Sequence, residues 1–263
     1  MQHLPNTLQL FFNDLAAIPE VEALLLAGSQ TAATTDQHSD YDVYVYSSQP
    51  VPEASRRAVF EKHGAKMEVS NTFWELEDDG HIGSAPIELI YRSWDWLEHE
   101  MERTVVRCEP WIGFTTCFWD NFIRSRILFD RTGRARALQE KYSVPYPEAL
   151  KNNIIQKNLP LLRAQMPNYL DQVKKAIQRD DVVSINHRIA AFLASYFDVL
   201  FAINHLPHPG EKKLVRIVKE RCQQVPAHFE EDIRAITLLN APLEQVPFHL
   251  ERMTDEIEGM VEG

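Results

Sequence analysis

Asp40 and Asp42 flank a single tyrosine at the head of the apolar run "YDVYVY". On an extended strand, residues i and i+2 project to one face, so these two carboxylates stand side by side. Like charges held together repel, so a fold either gives them a counter-charge or leaves them in water. Magnesium is one such counter-charge: it takes hard oxygen ligands, usually one or two carboxylates plus phosphate oxygens from a substrate. A solvated strand edge is the other reading, and the pair alone does not choose between them. Upstream, Gly28 and Ser29 follow the apolar run "VEALLLA". Glycine lets a backbone approach a phosphate closely, and Ser29 offers hydroxyl and N–H donors where a turn begins. Strand, Gly-Ser turn, ten residues and then Asp-x-Asp on the next strand would set phosphate donors beside metal ligands.

Periodicity gives the frame around these residues. Leu8, Phe11, Phe12 and Leu15 recur at helical spacing, and Pro19 stops that helix. "VEALLLAG" reads as a buried strand, and "YDVYVY" as a second one with Asp42, Tyr44 and Tyr46 on one face and Asp40 in phase before it. "PEASRRAVFEKHG" has proline at a first helical turn and glycine past the end. "KMEVS", "PIELIYR" and "SRILFD" read as further short strands, and "RTGRARALQEKY" as a turn and a helix. "FWELEDDGHIGS" reads as an acidic, aromatic loop. The two prolines of "SVPYPEAL" mark a linker, which divides the chain into residues 1–143 and 144–263. The second part is almost wholly helical. It is expected to break or kink at Pro160 and Pro167, with the apolar "DVVSINHRIAAFLASYFDVLFAINHL" central to a bundle. The fold class expected is α+β: a small mixed sheet with flanking helices, then an all-α helical bundle.

Composition narrows the function classes. The chain has 263 residues with 44% apolar and 25% charged, an ordinary globular balance. Its formal net charge of −11 argues against a broad grip on nucleic acid and suits a cationic small molecule. Three scattered cysteines, Cys108, Cys117 and Cys222, suggest reduced thiols rather than a disulfide framework or a zinc site. The start "MQHLPNTLQLFFNDL" lacks the basic and apolar regions of a signal peptide, and Asp198 interrupts the most apolar run before the ~20 residues a membrane span needs. A cytoplasmic protein with no membrane partner is expected. No H-x-x-x-H pair, G-x-S-x-G elbow or G-x-x-x-x-G-K-S/T loop is present, so those zinc, hydrolase and kinase chemistries are not supported.

"AGSQTAATTDQHSDYDVYV" resembles the nucleotidyltransferase superfamily of the DNA polymerase β fold, whose pattern is an apolar residue, Gly, Gly or Ser, a spacer, then Asp-x-Asp. Further on, "TTCFWDN", "ILFDRTGRARALQ" and "SYFDVLFAINHLPHPGEKK" look like a bacterial family that joins this fold to a helical C-terminal domain. Lincosamide and aminoglycoside nucleotidyltransferases share that plan. The resemblance implies a transferase using ATP and magnesium, two ions in all, with Asp40 and Asp42 as ligands and Gly28 and Ser29 on the triphosphate. It also implies a third carboxylate on a later strand. Glu88, central in the apolar frame of Ile87, Leu89 and Ile90, is preferred to Glu68. Its role is left between metal ligand and general base. In related enzymes a lysine of the helical domain reaches the triphosphate. That role falls here on Lys212, with Lys213 next, in "HPGEKK". A solvated pair of lysines is the plain alternative.

The remaining candidates have bland readings beside them. Glu75, Glu77 and Asp78 could hold ammonium groups of an acceptor with Trp74 stacked on it, or simply form a solvated loop. His187 and Asp198 read as satisfied core or cleft residues. The function expected is transfer of AMP from ATP to a hydroxyl of a small acceptor. The alternative is a nucleotide sensor, or a toxin-antitoxin-type module acting on protein or tRNA.

Overall fold

The computed structural model describes residues 4–27, 40–237 and 242–262. Its contacts divide the chain into two compact units, residues 1–102 with 121–143, and residues 103–120 with 144–263. The sequence division at 143/144 coincides with one of these crossings. The segment 103–120, counted with the first part from sequence, packs with the second.

The first unit is built on a six-stranded mixed sheet in the order β3-β4-β5-β2-β1-β6. In chain order its elements are α1 (Asn6–Ala16), β1 (Ala23–Leu26), β2 (Tyr41–Ser47), α2 (Glu53–Lys62), β3 (Lys66–Asn71), β4 (Leu76–Ile82), β5 (Ala85–Ser93) and α3 (Trp94–Met101). After α4 (Cys117–Arg124), through which the division of the units runs, come β6 (Arg126–Asp130) and α5 (Arg134–Tyr142). Only β2 and β5 run parallel; the other neighbours are antiparallel. β1 is buried at all four positions and β2 from Val43 to Ser47, so both faces of the central strands are covered. Leu24, Leu26, Val43, Val45, Ile87 and Leu89 form one core with Leu8, Phe11, Phe12 and Leu15 of α1 and Phe60 of α2. Asp42, Tyr44 and Tyr46 therefore project from the opposite face. There Tyr46 stacks on Trp94 with ring centroids 4.9 Å apart and meets the edge of Phe122 at 6.2 Å.

Residues 73–84, expected as a loop, contain β4, which pairs with β3 on one side and β5 on the other. Its acidic run fits a strand because the acids are met by different partners on the two faces. Asp78 is fully buried on the helix-covered side. There Arg56 Nη1 reaches both of its oxygens at 2.5 Å, Ser70 N–H donates at 2.8 Å and Tyr91 OH at 2.7 Å. Asp78 is thus a structural ion-pair partner and not available to an acceptor.

The second unit holds α6 (Glu148–Arg163), α7 (Tyr169–Gln178), α8 (Val182–Ile203), α9 (Leu214–Arg221), α10 (Phe229–Thr237) and α11 (Val246–Glu262). Asn168 caps α7, accepting from Asp171 N–H at 2.8 Å, and Asp181 caps α8, accepting from Ser184 N–H at 3.0 Å. α8 packs against α6, α7 and α11 and buries Ile185, Phe192, Tyr196, Leu200 and Ile203, which explains its apolar character on several sides. The expected break at Pro160 is absent: α6 runs on through it to Arg163, and the interruption falls around Pro167. Packing of α6 on α8 outweighs the one hydrogen bond that Pro160 removes. Asp198 is a satisfied core residue, whereas His187 is exposed. Among the described residues, no helix is long and apolar enough to cross a membrane.

Candidate functional site

The register of the sheet decides which acids meet. Asp42 of β2 lies directly opposite Glu88 of β5, Glu88 opposite Asp79 of β4, and Asp79 opposite Glu68 of β3. Direct partners share a face, and neighbouring strands are about 4.8 Å apart, so four carboxylates form one row across the sheet. Glu77, two residues before Asp79, joins the same face. One carboxylate oxygen each from Glu77, Asp79 and Glu88 lie within 4.8 Å of one another.

Exposure grades along this row. Glu68 and Asp40 are exposed, Asp42, Asp79 and Glu88 are half-buried, and Glu77 is buried. Burial, and then the negative charges of Asp79 and Glu75, push the Glu77 carboxyl above its ordinary range. Asp79 accepts from Asn71 Nδ2 at 3.0 Å. Arg92, four residues beyond Glu88 on β5, is buried and forks onto Glu75 at 2.7 and 2.5 Å. Its guanidinium lies 4.2 Å from the ring centre of Tyr44 and 4.7 Å from that of Trp96. Burial works against the charge on Arg92, but the Glu75 fork outweighs it and holds the guanidinium above its usual range. Glu75 is thereby spoken for, while Trp74 remains 82% exposed beside Phe73.

The converging donors Glu77, Asp79 and Glu88 are all carboxylates. Hard oxygen donors suit magnesium, manganese or calcium and do not suit the soft, nitrogen- or sulfur-seeking metals. Asp42 and Glu88, paired across β2 and β5, and Asp40 two residues upstream match a hard divalent cation by donor type. A second acid-rich group, Glu231, Asp232 and His249 in the helical unit, does not. There Arg252 bonds both Asp232 and Glu231, and His249 Nδ1 lies 2.6 Å from Asp232, so the group is already held by protein partners.

Of the sequence-predicted residues, Asp42 and Glu88 are brought together and Asp40 stands just ahead of β2. Glu68 ends the row, separated from Glu88 by the whole of β4. Gly28 and Ser29 lie outside the described residues. Lys212 and Lys213 are exposed in the turn before α9, and Lys213 takes φ +60° as the residue that opens the helix. Sequence reasoning missed Asp79 and Arg92. The signal for Asp79 was its phase with Glu77, readable only once "ELEDDGHI" is taken as a strand.

Residues 118–213 match a family model described as a domain of unknown function, DUF4037. The chain is also similar to the solved structure of a nucleotidyltransferase-like protein from Exiguobacterium sibiricum 255-15, with a TM-score of 0.45 and 11% identity, over 97% of this chain and 73% of that one. No curated protein matches the chain.

Proposed function

We propose that this protein is a magnesium-dependent nucleotidyltransferase that moves AMP from ATP to a hydroxyl of a small, cationic acceptor. The observation that carries the reading is the direct pairing of Asp42 with Glu88 across parallel strands. Two carboxylates set opposite each other, with Asp79 next in the row, offer a bound cation several oxygen ligands at once. Asp40, Asp42 and Glu88 would hold magnesium. When bound, the metal would neutralise triphosphate charge and steady the oxygens of the transferring phosphoryl group.

The chain's own groups supply the rest. Gly28 and Ser29 offer backbone and hydroxyl donors to the triphosphate. The acceptor oxygen bonds to the α-phosphorus as the bond to the bridging oxygen of the β-phosphate breaks, and pyrophosphate leaves. The hydroxyl proton goes to a carboxylate of the row and then to water. Such transfers depend on positioning and charge, with little covalent work left for the protein. Asp79 and Glu77 extend negative charge beyond the Asp42–Glu88 pair, which favours an acceptor bearing ammonium groups over a polyanionic one.

Thermal stability with ATP, with and without magnesium, tests binding, and α-labelled ATP with a panel of amino-substituted polyols tests transfer. Magnesium-dependent stabilisation by ATP is expected in the wild type and absent in Asp42→Ala and Glu88→Ala. Stabilisation that survives in both variants would place the metal elsewhere and end this reading.

A further inference from the structure

β3 is one edge of the sheet, and among the described residues no strand pairs with its outer side. An open edge presents unpaired N–H and C=O groups to any strand of matching pattern, so its side chains decide what it accepts. The open stretch is short. Ser70 takes φ +62° at the irregularity between Val69 and Asn71, and its N–H goes to the Asp78 carboxylate at 2.8 Å. That leaves Ala65 to Val69, "AKMEV". Ala65, Met67 and Val69 are half-buried against the core that holds Phe60 of α2. Lys66 and Glu68 are exposed on the opposite face, where Glu68 ends the carboxylate row. Among the described residues, neither of these two has an ion-pair partner.

This stretch is complementary to itself. When two copies meet edge to edge, antiparallel about a two-fold axis, residues directly opposite each other share a face. Centring the pair on Met67 sets Lys66 opposite Glu68 of the second copy, and Glu68 opposite its Lys66. Ala65 then meets Val69 on the other face, and Met67 meets Met67. Centring on Lys66 or on Glu68 would oppose like charges, which is destabilising. Centring on Val69 would set Glu68 against Ser70 and leave both charges unmatched. Arg57 and Glu61, exposed and one turn apart on α2, repeat the order of charge beside the edge, where they line a groove with Phe60, Ala65, Met67 and Val69. At about 110 Å³ this groove is well below the ~300–1,000 Å³ of ligand pockets, so it suits the side-chain tips of a protein partner. The other edge of the sheet offers no such match. Its strand, β6, ends on Asp130, whose carboxylate is taken by the N–H groups of Ala135 and Arg136 at the start of α5.

We infer that a second copy of this chain docks on β3, the two edges pairing antiparallel about Met67 into one continuous sheet. Lys66 of the second copy then stands beside Glu68, so the carboxylate row closes on a cation at its exposed end, while Asp42 and Glu88 lie at the other. A short edge strand bearing a lysine also guards against indiscriminate pairing. Here the lysine is matched in one register only, which makes the pairing selective. The contact is small, so association is reversible and depends on concentration.

Sedimentation of the full chain over a concentration series up to about 1 mM reads the state of association. The mass is expected to rise from 30.4 kDa towards twice that value. Lys66→Glu and Glu68→Lys each set like charges opposite each other at both symmetric positions, and each should weaken the dimer about tenfold or more. Both residues are exposed, so the fold should hold, and circular dichroism checks it. The double variant Lys66→Glu/Glu68→Lys restores opposite charges and should dimerise like the wild type. An equimolar mixture of the two single variants is the sharper measurement. Every facing pair is then Glu against Lys, so a mixed dimer should form where neither variant dimerises alone. Hydrogen exchange over 65–69 should slow as the wild type associates. A wild type that stays at 30.4 kDa throughout the series would overturn the inference. So would full protection of 65–69 in the monomer, which would mean that the chain covers this edge itself. A dimer untouched by either single variant would place the interface on another face and overturn it as well. Loss of the dimer in the single variants with no recovery in the mixture or the double variant would refute the register about Met67 and the choice of a second copy with it.

Discussion

Asp42 and Glu88 face each other directly across the parallel pair of β2 and β5, their backbones held in register from Tyr41–Ile87 to Ser47–Ser93. Neither side chain can move away along the strand without breaking that ladder. The fold therefore fixes the spacing of the two backbone positions before any ligand arrives.

Neutralising one member of this pair should separate stability from binding. Like charges directly opposite each other on a sheet are destabilising. Without divalent metal, Asp42→Asn and Glu88→Gln are therefore expected to melt at or slightly above the wild-type temperature. With magnesium and ATP both should lose the ligand-induced rise. Differential scanning fluorimetry of the three proteins, with EDTA and then with magnesium-ATP, checks both halves. A variant that melts well below wild type in EDTA would mark its carboxylate as a structural partner instead.

The reverse of the sheet makes a second prediction. Asp78 and Arg56 are fully desolvated, and removing one partner of a buried pair typically costs about 3–5 kcal/mol because the other charge is stranded. Arg56→Met and Asp78→Leu should each lower the urea midpoint substantially. The double variant Arg56→Met/Asp78→Leu should recover part of the loss, since replacing both members with apolar groups is often close to neutral. A double variant as unstable as the sum of the singles would show that the pair is not acting as a unit.

Those two faces explain what the sequence disclosed and what it hid. The apolar runs of β1, β2 and β5 and the common face of Asp42, Tyr44 and Tyr46 are local patterns, and each was legible from a few residues. β4 was not, because Glu77, Asp78 and Asp79 erase the alternation of polarity that marks a strand. Their alternation is one of partners: Asp78 meets Arg56, 22 residues earlier, and Tyr91, 13 later. The place of 103–120 was hidden for the same reason. Its anchors run from Gly113 to Asn158 and from Thr115 to Asp198, 45 and 83 residues away. Asp198 itself was readable as a satisfied core group, since a carboxylate on a helix apolar on several sides needs donors. Nothing local named Thr115 as the source. His187 carried no signal that separated a buried imidazole from the exposed one it is.

The third prediction joins Asp198 and His208, which take hold of the adjacent residues Thr115 and Thr116. Thr115 gives Asp198 its backbone N–H at 3.0 Å and its hydroxyl at 2.6 Å, while Thr116 Oγ1 receives the backbone N–H of His208. Burial raises the Asp198 carboxyl to about 7, against the lowering effect of Thr115 and the Arg103 charge, and burial lowers His208 to about 3. Between an unfolded pKa of 3.8 and about 7, folded Asp198 keeps a proton that the unfolded chain has released, so its contribution to stability falls as pH rises. Between about 3 and an unfolded pKa of 6.5, unfolded His208 binds a proton that the folded chain refuses, so its contribution grows as pH rises. The two slopes oppose each other where the windows overlap, from pH 3.8 to 6.5. Relative to wild type, Asp198→Asn should therefore gain stability with rising pH, and His208→Asn should lose it, each by up to about 1.4 kcal/mol per pH unit. Urea unfolding followed by far-ultraviolet circular dichroism at pH 4, 5, 6 and 7 measures both. Parallel curves for all three proteins would mean that neither group changes its protonation on folding, and equal signs for the two variants would contradict the opposed titrations.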